Sequence, residues 1–378
     1  MSNTMLNKTI DTTIKELIPK IASRKKPAKV MAIGNYNGVN LGDNAILKTI
    51  LFDLEKLPLK IFIPTRFPQM TKQIYREGLR NEIILVQNKT PYLELIKHSL
   101  RSEIIFVGGG TIYSKYAGKF VFFLPYYLIL MRLIGKKIIY YSQGFDPSTV
   151  WYLRFAAYLS MILASKVSVR DIKSYNTMRL VRVFRSVELI ADPVKHILDI
   201  KTEKTKELVK QDITQLRKKY FLQKDFLLQG GYVLTCFNDV KDIETKALLT
   251  EKLILLVDSL TAQGKKVLMA SFQHADIYIR DDYKLNKHIQ AHSKNPASIQ
   301  VIEEMLDPFT TIELMKQAEF VITERLHSMV LADLAEVNFF GISYQRKCTA
   351  FLEQINHTNF VEVDSLVQMT EAEIKKLL

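Results

Sequence analysis

The chain alternates short β-branched and aliphatic runs with longer amphipathic segments, and it does so twice. Few folds accept that order. The first series of runs covers 29–33, 60–63, 83–86, 103–107, 137–141 and 166–169. The second covers 232–236, 266–271, 299–302, 319–322 and 338–342. Helical patterns fill the intervals, among them 119–134, 148–165 and 242–262, the last with Gly264 as its C-cap. Strands that alternate with helices build parallel sheets covered on both faces. With 378 residues there is chain enough for two such domains. The expected fold is therefore α/β, with two doubly wound, Rossmann-like domains facing across a cleft. A charged helical stretch near 195–225, without a strong strand, is where they would join. The expected division is a leading helix and connector over 1–28, domains over 29–195 and 196–345, and a helical tail over 346–378 that packs back on the first domain.

Composition narrows the function classes. The net charge is +14, which attracts nucleic acid, anionic lipid or acidic small molecules. No nucleic-acid motif accompanies it, so nucleic acid is not an expected partner. Arg179, Arg182 and Arg185 sit among apolar residues and would suit a membrane surface or an anionic partner. Residues 1–20 lack the apolar core of a signal peptide. The runs around 120–131 and 155–165 are shorter than the roughly 18 residues of a membrane span. They are expected to lie buried against the first sheet, with Tyr126, Tyr127 and Leu128 as the residues for any peripheral membrane contact. Cys236 and Cys348 fit no CxxC spacing, so neither a disulfide framework nor a metal site is expected, and a reducing cytoplasm is the default compartment.

Chemistry concentrates where strands should give way to helices. Thr323-Glu324-Arg325-Leu326-His327-Ser328 follows an apolar run and opens a helical pattern. A helix N-terminus favours anions, arginine adds a planar fork, and histidine adds a proton donor or acceptor near neutral pH. The plainer alternative is a capped helix with a surface Arg and a satisfied His. Arg325 is expected at an exposed helix start. Gly34-Asn35-Tyr36-Asn37-Gly38 with Gly42-Asp43-Asn44 forms a second cluster, in which Asp43 is the expected N-cap of a helix from Asn44. It matches neither GxGxxG nor a P-loop. Gly108-Gly109-Gly110-Thr111 suggests close approach of backbone to a ligand. Ser142-Gln143-Gly144 ends the next strand. Arg170 is either a second anion anchor or the partner of Asp171. Of the other histidines, His274 alone follows a strand end.

In order along the chain, GNYNGVNLGDNAIL (34–47), GGGT (108–111), SQG (142–144), SVRD (168–171), ADP (191–193), ERLHS (324–328) and GISYQRK (341–347) resemble the polysaccharide pyruvyl transferase family. That resemblance implies a GT-B-like pair of domains, acceptor on the first and donor on the second. It implies transfer of the pyruvyl group of phosphoenolpyruvate to a sugar of a cell-surface polysaccharide or its lipid-linked precursor, giving a cyclic ketal and free phosphate. No cofactor or metal is implied. His327 and Arg325 match catalytic and donor-binding positions, and Arg170 matches a donor-binding one. Asp43 is the candidate for acceptor hydroxyls. Leu326, Ser328, Gly108, Gly109, Gly110, Asn35 and Gln143 complete the expected substrate-binding set. The family more often has a small or apolar residue where this chain has Glu324. A GT-B-like glycosyltransferase using a nucleotide sugar, and a non-catalytic sugar-binding component of an envelope-polysaccharide complex, are the other functions weighed. The expected location is the cytoplasm, including peripheral attachment at the inner face of the membrane.

Overall fold

The computed structural model describes residues 26–55, 57–76, 78–87, 89, 92–113, 120–145, 150–221, 231–240, 243–274 and 281–377. The chain forms two compact units. One comprises residues up to Gly38 and Asp43–Ile200; the other comprises Lys201–Leu378 together with the four residues Val39–Gly42.

The first unit holds, among the described residues, a seven-stranded sheet. Its strands are β1 (Ala28–Ile33), β2 (Leu59–Thr65), β3 (Glu82–Gln87), β4 (Ile104–Gly108), β5 (Lys137–Gln143), β6 (Lys166–Val169) and β7 (Val187–Leu189). The order is β3-β2-β1-β4-β5-β6-β7, and every pairing is parallel. The central strands are buried on both faces, which explains their unbroken apolar sequences. The second unit holds β8 (Val233–Cys236), β9 (Val267–Met269), β10 (Ile299–Val301), β11 (Phe320–Thr323), β12 (Phe339–Ser343) and β13 (Phe360–Glu362). Its order, β10-β9-β8-β11-β12-β13, is also all parallel. Both orders reverse once, between β1 and β4 and between β8 and β11. Ligands in open α/β sheets bind beyond the carboxyl ends of the strands at such a reversal.

Two strands, β7 and β13, were not expected. Each has three residues at a sheet edge, one of them a glutamate, so neither lies in an apolar run. The leading helix expected within 1–28 lies almost wholly outside the described residues. So do 222–230 of the charged stretch between the units, whose described part is the helix Glu203–Leu216 with short helical turns on either side. Residues of the tail, expected against the first domain, group with the second unit instead. There β13 pairs with β12, and the helices Val363–Leu366 and Glu371–Ile374 pack on the helix Ile243–Ala262. Asp43 is not an N-cap, because its helix begins two residues earlier and spans Leu41–Leu54. Gly264 adopts a φ of +79° after Ile243–Ala262, as a C-cap should.

The helices Phe120–Leu133 and Trp151–Leu163 cover the first sheet with one face only. Val121, Leu124, Tyr127, Leu128 and Met131 of the first are buried, whereas Phe122, Tyr126 and Leu130 are exposed. Each helix is thus buried against the sheet on one face, as expected, and open on the other, and of the three residues expected to meet a membrane only Tyr126 is on the surface.

Candidate functional site

Each reversal point carries a polar cluster inside its own unit. In the first unit the sequence between β1 and the helix Leu41–Leu54 folds over the end of β4. The Tyr36 ring is buried and its hydroxyl donates to the Gly108 carbonyl, tying the ends of β1 and β4 together. Burial first, then the nearby Asp43 carboxylate, pushes the Tyr36 phenol far above its ordinary value, so it stays a neutral donor. Asn35 Nδ2 donates to Asp43 Oδ2 at 2.6 Å, with Asn35 exposed and Asp43 half-buried. Gly109 and Gly110 follow β4 with φ of +67° and +83°. A Cβ on Gly109 would overlap Ile46, and one on Gly110 would sit 3.3 Å from Asp43 Oδ1. The glycine run is therefore what lets the strand end lie flat against Asp43.

A buried network extends from there. Gln143 Nε2 donates to the carbonyls of Gly110 (3.0 Å) and Gly144 (2.8 Å), while its Oε1 is buried with no partner among the described residues. Arg170 does not pair with Asp171. Its Nη1 donates to Asp192 at 2.8 Å and its Nη2 to Thr111 Oγ1 at 3.1 Å. Asp171 instead caps the helix Ile172–Thr177 by accepting from Ser174 N. The motifs at 108–111, 142–144, 168–171 and 191–193 thus meet in one network. Arg170 is 8% exposed and its charge is matched by Asp192.

In the second unit β11 ends at Thr323 and the helix Leu326–Leu334 starts three residues later. Arg325 is 7% exposed, not at the surface as expected. Its Nε and Nη2 donate to Asp282 at 2.7 and 2.6 Å, and Nη2 also reaches Gln273 Oε1 at 3.2 Å. Burial opposes the Arg325 charge, but Asp282 outweighs it and holds the guanidinium above its ordinary value. Asp282 is completely buried, and it accepts as well from the backbone N–H groups of Asp239, Phe272 and Gln273. Removing one member of such a pair strands a buried charge. Leu326 is buried, and Ser328 Oγ is held by Thr323 and the Arg325 carbonyl. What these two residues can present is their first-turn N–H groups, not their side chains.

Glu324 is fully buried, and its hydrogen bonds go to Asn238 rather than to Arg325. Its Oε2 accepts from Asn238 N at 2.9 Å, which joins the ends of β8 and β11. Burial pushes its carboxyl up to about 8, against the pull of the Asn238 N–H and of Arg325. At neutral pH it is therefore mostly protonated and uncharged.

His327, in the first turn, is half-buried. A Cβ on Gly42 would overlap its Nδ1, so glycine at 42 is what gives the imidazole its seat. The Val39–Gly42 segment is held by Leu41 N to Phe272 O (2.8 Å) and His274 N to Val39 O (3.0 Å). His274 is half-buried and stacks on Tyr283 at 5.8 Å between ring centroids. Burial lowers its pKa, while Asp281, Asp282 and Glu304 pull the other way.

Several residues in these clusters were not singled out from sequence. Asp282 and Gln273 lie far from Arg325 in the chain, and the Asp281-Asp282 pair reads as helix capping. Asp281 does cap the helix Asp282–His292. Arg346 and Lys347 close the 341–347 motif and stand exposed in the first turn of the helix Arg346–Gln354, directly after β12. That helix packs on Leu326–Leu334. Cys236 and Cys348 are buried free thiols, and burial raises Cys348 to about 11. Among the described residues no group of His, Cys, Asp and Glu could hold a metal ion.

A profile of the family described as polysaccharide pyruvyl transferase matches residues 40–346. A search of curated proteins finds no match in sequence. Among solved structures, the chain is similar to the UDP-GlcNAc 2-epimerase of Neisseria meningitidis, solved with UDP-GlcNAc. Identity is 12%, coverage is 91% of this chain and 90% of that one, and the TM-score is 0.58. It is similar also to the UDP-GlcNAc 2-epimerase of Methanocaldococcus jannaschii, solved with UDP-GlcNAc and UDP. There identity is 11%, coverage 92% and 94%, and the TM-score 0.52. These likenesses concern the fold, two Rossmann-like domains of the GT-B class.

Proposed function

The chain belongs to the polysaccharide pyruvyl transferase family, and from that membership we propose that it moves the pyruvyl group of phosphoenolpyruvate onto two hydroxyls of one sugar, in a cell-surface polysaccharide or its lipid-linked precursor. The products are a cyclic ketal and phosphate. The observation that carries this reading is the family match over 40–346, which takes in Asp43, the 108–111 and 142–144 motifs and His327.

His327 is the proposed general acid. It delivers a proton to the methylene carbon of the enol, leaving an oxocarbenium-like centre at the neighbouring carbon. One sugar hydroxyl attacks that centre, phosphate departs, and the second hydroxyl closes the ring. The two hydroxyl protons balance the one gained by carbon and the one leaving with phosphate. The donor carries a phosphate and a carboxylate. First-turn N–H groups of Leu326 and Ser328, with the exposed Arg346 and Lys347, supply positive potential for them. Arg325 and Arg170 act by fixing the strand ends, since each already serves a buried carboxylate. Asp43, with Asn35 beside it, receives the acceptor hydroxyls, and the Gly108–Gly110 backbone and Gln143 shape that side. Glu324, uncharged and turned to Asn238, does not repel an anionic donor. The donor is a cytosolic metabolite, so the reaction would take place on the cytoplasmic side of the membrane.

The test is incubation with phosphoenolpyruvate and a panel of lipid-linked or nitrophenyl sugars while phosphate release is followed. Thermal protection by phosphoenolpyruvate and turnover with one acceptor are expected. Protection by a nucleoside diphosphate alone, with no phosphate released from phosphoenolpyruvate, would replace the donor with a nucleotide sugar.

A further inference from the structure

Large apolar side chains are left exposed mainly in one part of the first unit. On the helix Phe120–Leu133 the stripe Phe122, Tyr126, Leu130 and Leu133 recurs at helical spacing and points away from the sheet. On Trp151–Leu163 the same is true of Trp151, Phe155 and Leu159. On Arg179–Phe184, Val183 is 74% exposed and Phe184 62%. The three helices pack in series. The rings of Phe122 and Tyr152 stack at 6.2 Å, so the first two stripes are contiguous. A solvent-facing apolar patch spread over three helices marks an interaction surface.

Its charge identifies the partner. From 119 to 185 the sequence holds eleven Lys and Arg against two Asp; Arg170 is buried against Asp192 and Lys166 pairs with Glu188, which leaves nine. Of those two, Asp171 is occupied as a helix cap. Arg132 Nε and Arg185 Nε donate to the carbonyls of Leu163 and Ile162, so both guanidinium groups gather at the C-terminus of the central helix, beside Leu133 and Phe184 in the sequence. Arg182 lies over the Tyr175 ring at 4.3 Å. Aromatic and aliphatic side chains among basic residues suit the headgroup level of a bilayer bearing negative charge. A second copy of the chain would set arginines against arginines across a two-fold interface.

We propose that this face is a docking surface for a bilayer containing anionic lipid, with the Trp151 and Phe155 side chains entering the headgroup region. The helices lie on the bilayer and do not cross it; no described helix is long and apolar enough to span. The site goes beyond the proposed reaction and stands without it.

Trp151 is the chain's single tryptophan and is 74% exposed, so its emission reports on this face alone. The full chain is titrated with vesicles of phosphatidylcholine, with or without phosphatidylglycerol. With phosphatidylglycerol, a blue shift, quenching by brominated acyl chains and co-sedimentation are expected, all weakened by salt. Phe155→Ser combined with Val183→Ser should lower the partition coefficient roughly tenfold or more. Both side chains are exposed, so the circular dichroism and melting temperature of that variant should match wild type. Unchanged emission and protein left in the supernatant would overturn the proposal. So would a blue shift that follows protein concentration without vesicles, which would assign the face to a second copy. Equal binding to neutral vesicles at high salt would overturn the part played by the arginines.

Discussion

The two reversal points share a topology and a buried arginine, yet they expose opposite chemistry. In each, a strand ends, an arginine turns inward, and a carboxylate from a distant segment takes its charge: Asp192 for Arg170, Asp282 for Arg325. What remains at the first is a carboxylate and an amide, Asp43 and Asn35. What remains at the second is a half-buried imidazole and the cations Arg346 and Lys347, both at the starts of helices. The arginines most visible in the motifs are thus part of the scaffold. The difference between the units lies in the groups the scaffold leaves over: a carboxylate in one, an imidazole and two cations in the other, which in the proposed reaction receive the hydroxyl protons and supply the donor's proton and positive potential.

The comparison breaks first at the arginine pairs, where the largest effects are expected. Asp282→Ala or Arg325→Ala should destabilise the second unit by about 3–5 kcal/mol, the usual cost of stranding one partner of a buried pair. Activity should then be lost along with folded protein. Arg170→Ala and Asp192→Ala should do the same to the first unit. A melting curve for each variant checks this. An Arg325→Ala protein that melts like wild type but no longer binds phosphoenolpyruvate would return Arg325 to the donor and remove the parallel with Arg170.

His327→Gln comes next. Turnover should fall by ~10²-fold or more with donor affinity little changed, since a positioned acid is lost and an uncharged side chain of similar reach remains. Steady-state kinetics beside calorimetry with phosphoenolpyruvate separates the two quantities. Turnover within a few-fold of wild type would make His327 structural and move attention to His274. Gly42→Ala offers a second approach to the same atom, because the added methyl would displace the ring at Nδ1.

Much of this was legible in the sequence, and the reason is local. Eleven of the thirteen described strands stand out because they lie in apolar runs; β7 (VEL) and β13 (FVE) each hold a glutamate among three residues and carry no such run. Glycine at 109 and 110, asparagine at 35 and histidine at 327 stood out by residue type and by their place where a strand gives way to a helix, both of which are local in the sequence. Exposure did not stand out. Whether Arg325 faces water depends on Asp282 and Gln273, which the fold brings from 43 and 52 residues away. The same limit hid the second face of Phe120–Leu133. Periodicity shows that a helix is apolar, while only the packing shows which of its apolar residues lack a cover.

A smaller effect is expected at the charged rim of the second cluster. Arg346→Ala and Lys347→Ala remove exposed cations, so neither should shift the melting temperature. The double variant should raise KM for phosphoenolpyruvate about tenfold with kcat nearly unchanged, a loss of attraction of about 1.4 kcal/mol. The effect should shrink as salt rises. An unchanged KM would mean that the second unit does not use this rim for the donor, and the contrast in charge between the units would lose its functional meaning.

The smallest effect on activity is expected for Glu324→Gln, and it sharpens the comparison by asking whether Glu324 is a charge at all. With its carboxyl pushed up to about 8, Glu324 is mostly neutral at pH 7, so replacing it by an amide changes little. The glutamine oxygen can still accept from Asn238 N, as Glu324 Oε2 does now. Its nitrogen would face Asn238, whose Oδ1 is buried with no partner among the described residues and can turn to accept it. Turnover should stay within a few-fold of wild type. Stability should respond to pH in a definite direction. A carboxyl raised in the folded state keeps its proton there after the unfolded chain has lost it, so wild type loses stability as pH rises from about 4.5 to about 8. Above that the two states titrate alike. The slope is at most about 1.4 kcal/mol per pH unit. The variant lacks this group, so its melting temperature should gain on wild type across that window. Parallel curves for the two proteins from acid to mild alkali would show that Glu324 is ionised where it sits. The second cluster would then carry a buried negative charge beside the proposed donor site.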